Sequence, residues 1–412
     1  MAFKKNQTVT VEINDITDLG FGVGRIDGAV VFVSDTVPGD VCEVKLIKVN
    51  KTYLVGRAEK YIKRSNKRVC TRCTERACKS CAYKNISYEY EASLKEEGVR
   101  RLFSTSELEG ISTAPVTVSP AEVRYRNKAQ YPIALIDGKH RVGFFAPKSH
   151  RVTAIADCPL TPSVFSEICD ELLAFFDENN VSVYDEESGN GLLRHIYLRR
   201  GEVSEEILVT VVINGLELPN EADLVKRICE KFPTVVGILV NINRESTNVV
   251  LGNEYRTLYG RDHIYDTLSG VRLKITAPSF YQVNHGAAEL LYAKAKELAN
   301  PTKTDTLLDL FCGAGSIGLS MADSVGELIG IEIVDSAVEC ARENARECDI
   351  ANAHFFTGDA TETERLLANA ERELGSPTSI DMSYVKNEIS RLEAIVSTDL
   401  DMEDIKFIKD NF

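Results

Sequence analysis

The 412-residue sequence has no apolar run long enough to span a bilayer, and its start, Met1-Ala2-Phe3-Lys4-Lys5, leads into polar alternation and not into an apolar secretory core. Neither a membrane partner nor export is expected, and the expected compartment is the cytoplasm. Positive charge is in short supply. With 48 Lys and Arg against 62 Asp and Glu, the formal net charge is −14, which excludes a uniformly basic coat for nucleic acid. In a reducing compartment the 11 cysteines are not expected to pair as disulfides. The glycine-rich turn near residue 313 lacks the third glycine of the dinucleotide fingerprint, and Gly-Lys-Ser/Thr is absent too, which counts against NAD and ATP. At this length two or three domains are expected.

The most informative stretch runs from Leu308 to Leu319. A strand over Thr306 to Leu310 leads into Gly313 and Gly315, where backbone can approach a ligand without a Cβ in the way, and a helix from Ile317 offers free N–H groups. About twenty residues on, Leu328 to Ile331 ends at Glu332, whose carboxylate can accept both hydroxyls of a ribose. A helix over Ser336 to Glu347 then precedes a short strand ending in Gly358-Asp359. With Asp309 four residues ahead of Gly313, this pattern resembles the S-adenosylmethionine (SAM) loop of class I methyltransferases. The resemblance implies that Asp359 sits beside the adenine.

Residues 6 to 60 read as short alternating strands, Thr8 to Ile13, Gly28 to Val33 and Asp40 to Leu46, separated by glycine-rich and Pro-Gly-Asp turns. Five or so such strands make a small barrel. Gly20-Phe21-Gly22-Val23-Gly24 followed by Val37-Pro38-Gly39-Asp40 is similar to the TRAM domain, an OB-like barrel found on RNA-modifying enzymes. Between Lys45 and Lys84 there are 13 Lys or Arg against two acids, Glu59 and Glu75, a local +11 in an acidic chain. Such a segment attracts a phosphate backbone.

Cys70, Cys73, Cys78 and Cys81 fall within twelve residues, and Cys158 stands far off. Two C-x-x-C pairs this close point to a metal or cluster, and the local four alone would complete a tetrahedral zinc site. Arg68-Val69, the cysteines, Ile86-Ser87-Tyr88-Glu89 and Cys158 resemble the iron-sulfur region of the bacterial RNA uracil-5-methyltransferases, the ribosomal-RNA branch in particular. That resemblance implies a [4Fe-4S] cluster on Cys73, Cys78, Cys81 and Cys158. The 73-to-78 spacing is one residue shorter than the family's, so Cys70 stands as the alternative to Cys73.

Tyr125 to Pro132, Val142 to Ala146, Leu192 to His195 and Ser279 to Asn284 resemble further segments of the family in the expected order. The resemblance implies RNA contacts at Arg126 and Lys128, and cofactor contacts at Gln282, Phe311 and Glu332. From the residues themselves, 122 to 275 alternates strands such as Ile207 to Ile213 with helices such as Ser163 to Phe176, and a long helix runs from Ala287 to Leu298. The expected fold is multidomain α/β. An OB-like TRAM barrel spans 1–62, a central α+β domain with the cysteine cluster 63–275, a class I methyltransferase domain 276–375, and an atypical acidic tail 376–412.

In this family a cysteine thiolate adds to C6 of uracil, C5 takes the methyl group of SAM, and a base removes the C5 proton. The family's nucleophile lies in a late Ser-Cys-Asn-Pro segment. Here the last cysteine is Cys348, and the 53 residues after Asp359 hold one proline, Pro377. A class I sheet has seven strands, of which three are placed before Asp359, and four more with their helices need about 90 to 100 residues. The methyltransferase domain is therefore expected to be incomplete, with its catalytic residues missing. The alternative is an inactive RNA-binding remnant.

Overall fold

A computed structural model describes residues 3–70, 73, 75, 78, 80–104, 110–146 and 149–360. It separates into two compact units, one up to Val118 and one from Ser119 onward. The acidic tail expected over 376–412 lies outside the described residues.

In the first unit β1 (Thr8–Ile16), β2 (Gly22–Ile26), β3 (Ala29–Ser34), β4 (Val41–Val49) and β5 (Tyr53–Lys63) close into a barrel of order β1-β2-β3-β5-β4. Alternation makes this possible: Val11, Ile13, Val31, Val33, Cys42, Val44, Leu46 and Leu54 point inward as a buried core. Asp40, in the Pro-Gly-Asp turn, is fully buried. Its carboxylate accepts the N–H of Val37 and of Ser65, each at 2.9 Å, and the guanidinium of Arg68 down to 2.6 Å. Burial acts to lower the pKa of Arg68, but the hydrogen bond and charge of Asp40 outweigh it and hold the guanidinium above its ordinary value. The next residues pin the base of the cysteine loop, through Val69 N–H to Asn85 O at 3.0 Å and a bridge between Arg68 and Ile86. Helix α1 (Tyr88–Ser104) follows.

The second unit is built on a seven-stranded sheet. Its strands are β6 (Lys128–Ile136), β7 (Lys139–Phe145), β8 (Val152–Ala154), β9 (Leu193–Arg200), β10 (Ile207–Ile213), β11 (Val235–Ile242) and β12 (Glu254–Gly260), in the order β12-β11-β10-β9-β6-β7-β8. Every residue of β10 is buried, because the strand is covered on both faces. Ile207, Val209, Val211 and Ile213 meet helices α2 (Ser163–Glu178) and α3 (Glu221–Lys231). Leu208 and Val212 meet the hairpin β13 (His263–Leu268) and β14 (Val271–Thr276). That second core continues into α4 (His285–Ala299) and a parallel sheet of β15 (Thr306–Leu310), β16 (Glu327–Glu332) and β17 (Ala353–Thr357), with α5 (Ser316–Leu319) and α6 (Asp335–Glu347). These are the three strands expected before Asp359. Among the described residues no helix is long and apolar enough to cross a membrane.

Candidate functional site

The carboxyl ends of β15, β16 and β17 lie side by side, the position where open α/β sheets take ligands. Phe311 leaves β15 with φ 59°, a conformation rare for a side chain of its size, and is 74% exposed. Gly313 and Gly315 follow with φ 54° and 78°. A Cβ on Gly315 would stand 2.9 Å from the ring of Phe355, whereas one on Gly313 would meet only open space. One glycine thus packs the turn against β17, and the other leaves a cradle open above it.

Two carboxylates hold the turn. Asp309 accepts the N–H of Gly318 at 3.1 Å, and burial raises its pKa to about 6 against that hydrogen bond. Glu332 is half-buried and accepts the N–H of Gly313 at 3.1 Å on one oxygen and of Val334 at 3.0 Å on the other. Each oxygen keeps a lone pair for a further donor. The carbonyl of Glu332 accepts the N–H of Gly358 at 2.9 Å, which brings the exposed Asp359 to the neighbouring strand end. Exposed Ile333 and Val334 add an apolar margin beside Phe311's turn. The structure thus brings together Asp309, Gly313, Gly315, Glu332 and Asp359. Carboxylates, open backbone and apolar margin fit a cationic nucleoside with a free ribose, such as SAM.

Gln282 lies in the segment that enters α4. Its carbonyl accepts Nδ2 of Asn127 at 2.8 Å, and Asn284 caps the helix through Ala287 N–H at 3.1 Å. The hydroxyl of Tyr292 on α4 bonds Ser316 Oγ at 2.8 Å, joining that helix to the glycine turn. Asn344 was not singled out from the sequence. Fully buried on α6, it donates to Ala314 O at 3.0 Å and accepts Lys274 N–H at 2.8 Å. A polar residue on the helix face that carries Val338, Ala341 and Ala345 was the available signal.

Arg126 bridges to Asn284 through its backbone, and Lys128 stands directly across the ladder from the buried Arg199. Burial first, then the charges of Arg199 and Arg126, lower the pKa of Lys128. Like charges facing across a sheet are unfavourable, and Arg199 gives its guanidinium to the carbonyls of Ala277 and Ser279. Of the cysteines, Cys78 is buried with Sγ 3.5 Å from Ser80 Oγ, and Cys73 Sγ lies 3.9 Å from Glu75 O. The Lys84 ammonium donates to the carbonyls of Glu75 and Cys78 at 3.1 and 3.0 Å and so clasps the loop. Among the described residues no three His, Cys, Asp or Glu side chains gather as a metal site.

Comparison with known proteins gives two domain matches, a TRAM domain at residues 2–58 and a methyltransferase domain at residues 301–398. An uncharacterized RNA methyltransferase of Halalkalibacterium halodurans is 34% identical over 358 residues, 86% of this chain and 78% of that protein. One of Staphylococcus aureus is 36% identical over 365 residues, 88% of this chain and 80% of that protein. The crystal structure of Pyrococcus abyssi tRNA (uracil-54, C5)-methyltransferase with S-adenosyl-L-homocysteine superposes with a TM-score of 0.69 at 24% identity, covering 85% of this chain and 80% of that one. At that identity the likeness speaks for the fold.

Proposed function

This chain belongs to the family of RNA methyltransferases represented by these bacterial relatives, and from that premise we propose that it holds SAM at the ends of β15 to β17 and serves methylation at C5 of a uridine in ribosomal RNA. The observation that carries the reading is Glu332, tied to the open turn at Gly313 with lone pairs left for a ribose. In this reading Gln282, Asp309, Phe311, Gly315 and Asp359 complete the cofactor site, and bound SAM supplies the methyl group. Arg126, across from Asn284, and Lys128, across from Arg199, support an RNA partner, as does the +11 segment that runs through the last two barrel strands into the cysteine loop.

The step at C5 requires a thiolate at C6. Cys312 is 6% exposed, and burial first, then the charges of Asp309 and Glu332, push its thiol far up. Burial likewise raises Cys340. Cys348 Sγ is engaged with the backbone N–H and carbonyl of Arg272 at 3.3 and 3.4 Å. None of the three is read as the nucleophile. The alternative reading is a catalytically inactive RNA-binding remnant. With methyl-tritiated SAM and undermodified ribosomal RNA, saturable binding of both is expected, and label at uridine C5 decides between the two readings. Failure to bind SAM would sink the proposal. Label that disappears in Cys312→Ser would instead make that thiol the nucleophile.

We read Cys73, Cys78, Cys81 and Cys158 as [4Fe-4S] ligands on spacing and resemblance, with no step of the chemistry routed through the cluster. Iron and sulfide analysis of anaerobically purified Cys70→Ser and Cys73→Ser chains is expected to show loss in the second alone. Full iron in both would remove the assignment.

A further inference from the structure

Strand β6 pairs with β9 from Lys128 to Pro132 and with β7 from Ile133 to Ile136. The ladder to β9 therefore stops at the residue that has no N–H to give. Past Pro132 the two strands part, and among the described residues no strand pairs with the β9 side of 133–136. The resulting cleft holds about 930 Å³, within the range of small-ligand sites.

At the fork, in register with Pro132, stands His195, which is 7% exposed and whose Nδ1 has no hydrogen-bond partner. Burial, then the charge of Arg194, lowers its pKa to about 4, so the ring is neutral at pH 7. A buried polar atom left unpaired costs free energy, and such exceptions in a native fold call for a ligand or another cause. Phe145 presents its ring edge-on to His195 and His150, with centroids at 6.3 and 5.9 Å, and is 40% exposed. The Arg194 guanidinium lies 4.3 Å over Tyr184, fixed by the carbonyls of Asn243 and Glu245. Arg151 lines the cleft and is exposed.

We propose that this cleft takes one unstacked base of the RNA, at a position other than the methyl acceptor. The base stacks on Phe145, an edge group meets Nδ1 of His195, and the adjoining phosphate meets Arg151. A neutral imidazole suits this task because it can donate to or accept from a base edge. The acidic run 185–187 also lines the cleft, with Glu186 paired to His150, and it disfavours phosphate while offering acceptors to amino groups, so the base enters and the backbone stays outside. The inference rests on the RNA-methyltransferase reading and adds a base-reading subsite to it.

The test titrates the full chain with a ribosomal RNA fragment across a series of KCl concentrations, comparing wild type with Phe145→Ala and Arg151→Gln. Equal SAM affinity in all three serves as the folding control. Phe145→Ala is expected to weaken RNA binding at least about fivefold with the salt slope unchanged, since stacking carries no counterion release. Arg151→Gln is expected to lower that slope by about one unit. The ¹⁵N resonance of His195 Nδ1 is expected to move on RNA addition. If both variants bind like wild type and the resonance stays fixed, the subsite is overturned while the RNA reading stands. If wild type binds no RNA, both fall together.

Discussion

Asp40→Ala is expected to cost the first unit about 3–5 kcal/mol, the toll of leaving a partly buried arginine without its counterion. The carboxylate is fully buried and Arg68 only 14% exposed, so water cannot replace the lost partner. The N–H groups of Val37 and Ser65 lose their acceptor in the same change, which opens the Pro-Gly-Asp turn and the exit of β5 together. Arg68 also anchors the base of the cysteine loop, so the loss should spread there. Hydrogen exchange at Val37, Ser65 and Val69 amides in the full chain measures it, with Arg68→Met and the double variant closing a cycle. A cycle coupling below about 1 kcal/mol would mean that the pair behaves like a surface ion pair.

Glu332→Ala is expected to weaken SAM binding about 10- to 150-fold, corresponding to the ~1.5–3 kcal/mol of hydrogen bonds to a charged acceptor. Part of that loss is indirect, because the turn N–H of Gly313 is released as well. Glu332→Gln separates the two, since its amide oxygen can still accept one N–H while the charge is gone. Calorimetric titration should be run above pH 6, where Asp309 is ionised. Raised by burial, the Asp309 carboxyl contributes stability that is full below its unfolded value near 4 and is lost as pH rises through about 6. A lower pH would therefore change the protein as well as the binding. Unchanged affinity in Glu332→Ala would remove the ribose from the proposal.

Much of this was legible along the chain. Alternation in Thr8 to Ile13 and the apolar run of Ile207 to Ile213 fixed strands, because burial on one or both faces writes itself directly into residue type. The strand Thr306 to Leu310 and the turn at Gly313 were equally plain, since positive φ selects glycine. Helix starts were less so: the helix expected from Ala287 begins at His285, with Asn284 as its cap. Asn344 escaped notice because its partner, the carbonyl of Ala314, is thirty residues away and unmarked by sequence.

By itself, then, the sequence determined what depends on local pattern: the barrel strands, the glycine turn, the acids at the strand ends and the cysteine spacing. The tertiary structure alone decided what depends on pairing across the chain. It put Lys128 opposite Arg199, aimed Asp40 at Arg68, buried Cys312 beneath the glycine turn and stopped the ladder at Pro132 to open a cleft beside His195. Such placements follow from register and from which faces the core covers, and neither is encoded within a few residues of the groups they control.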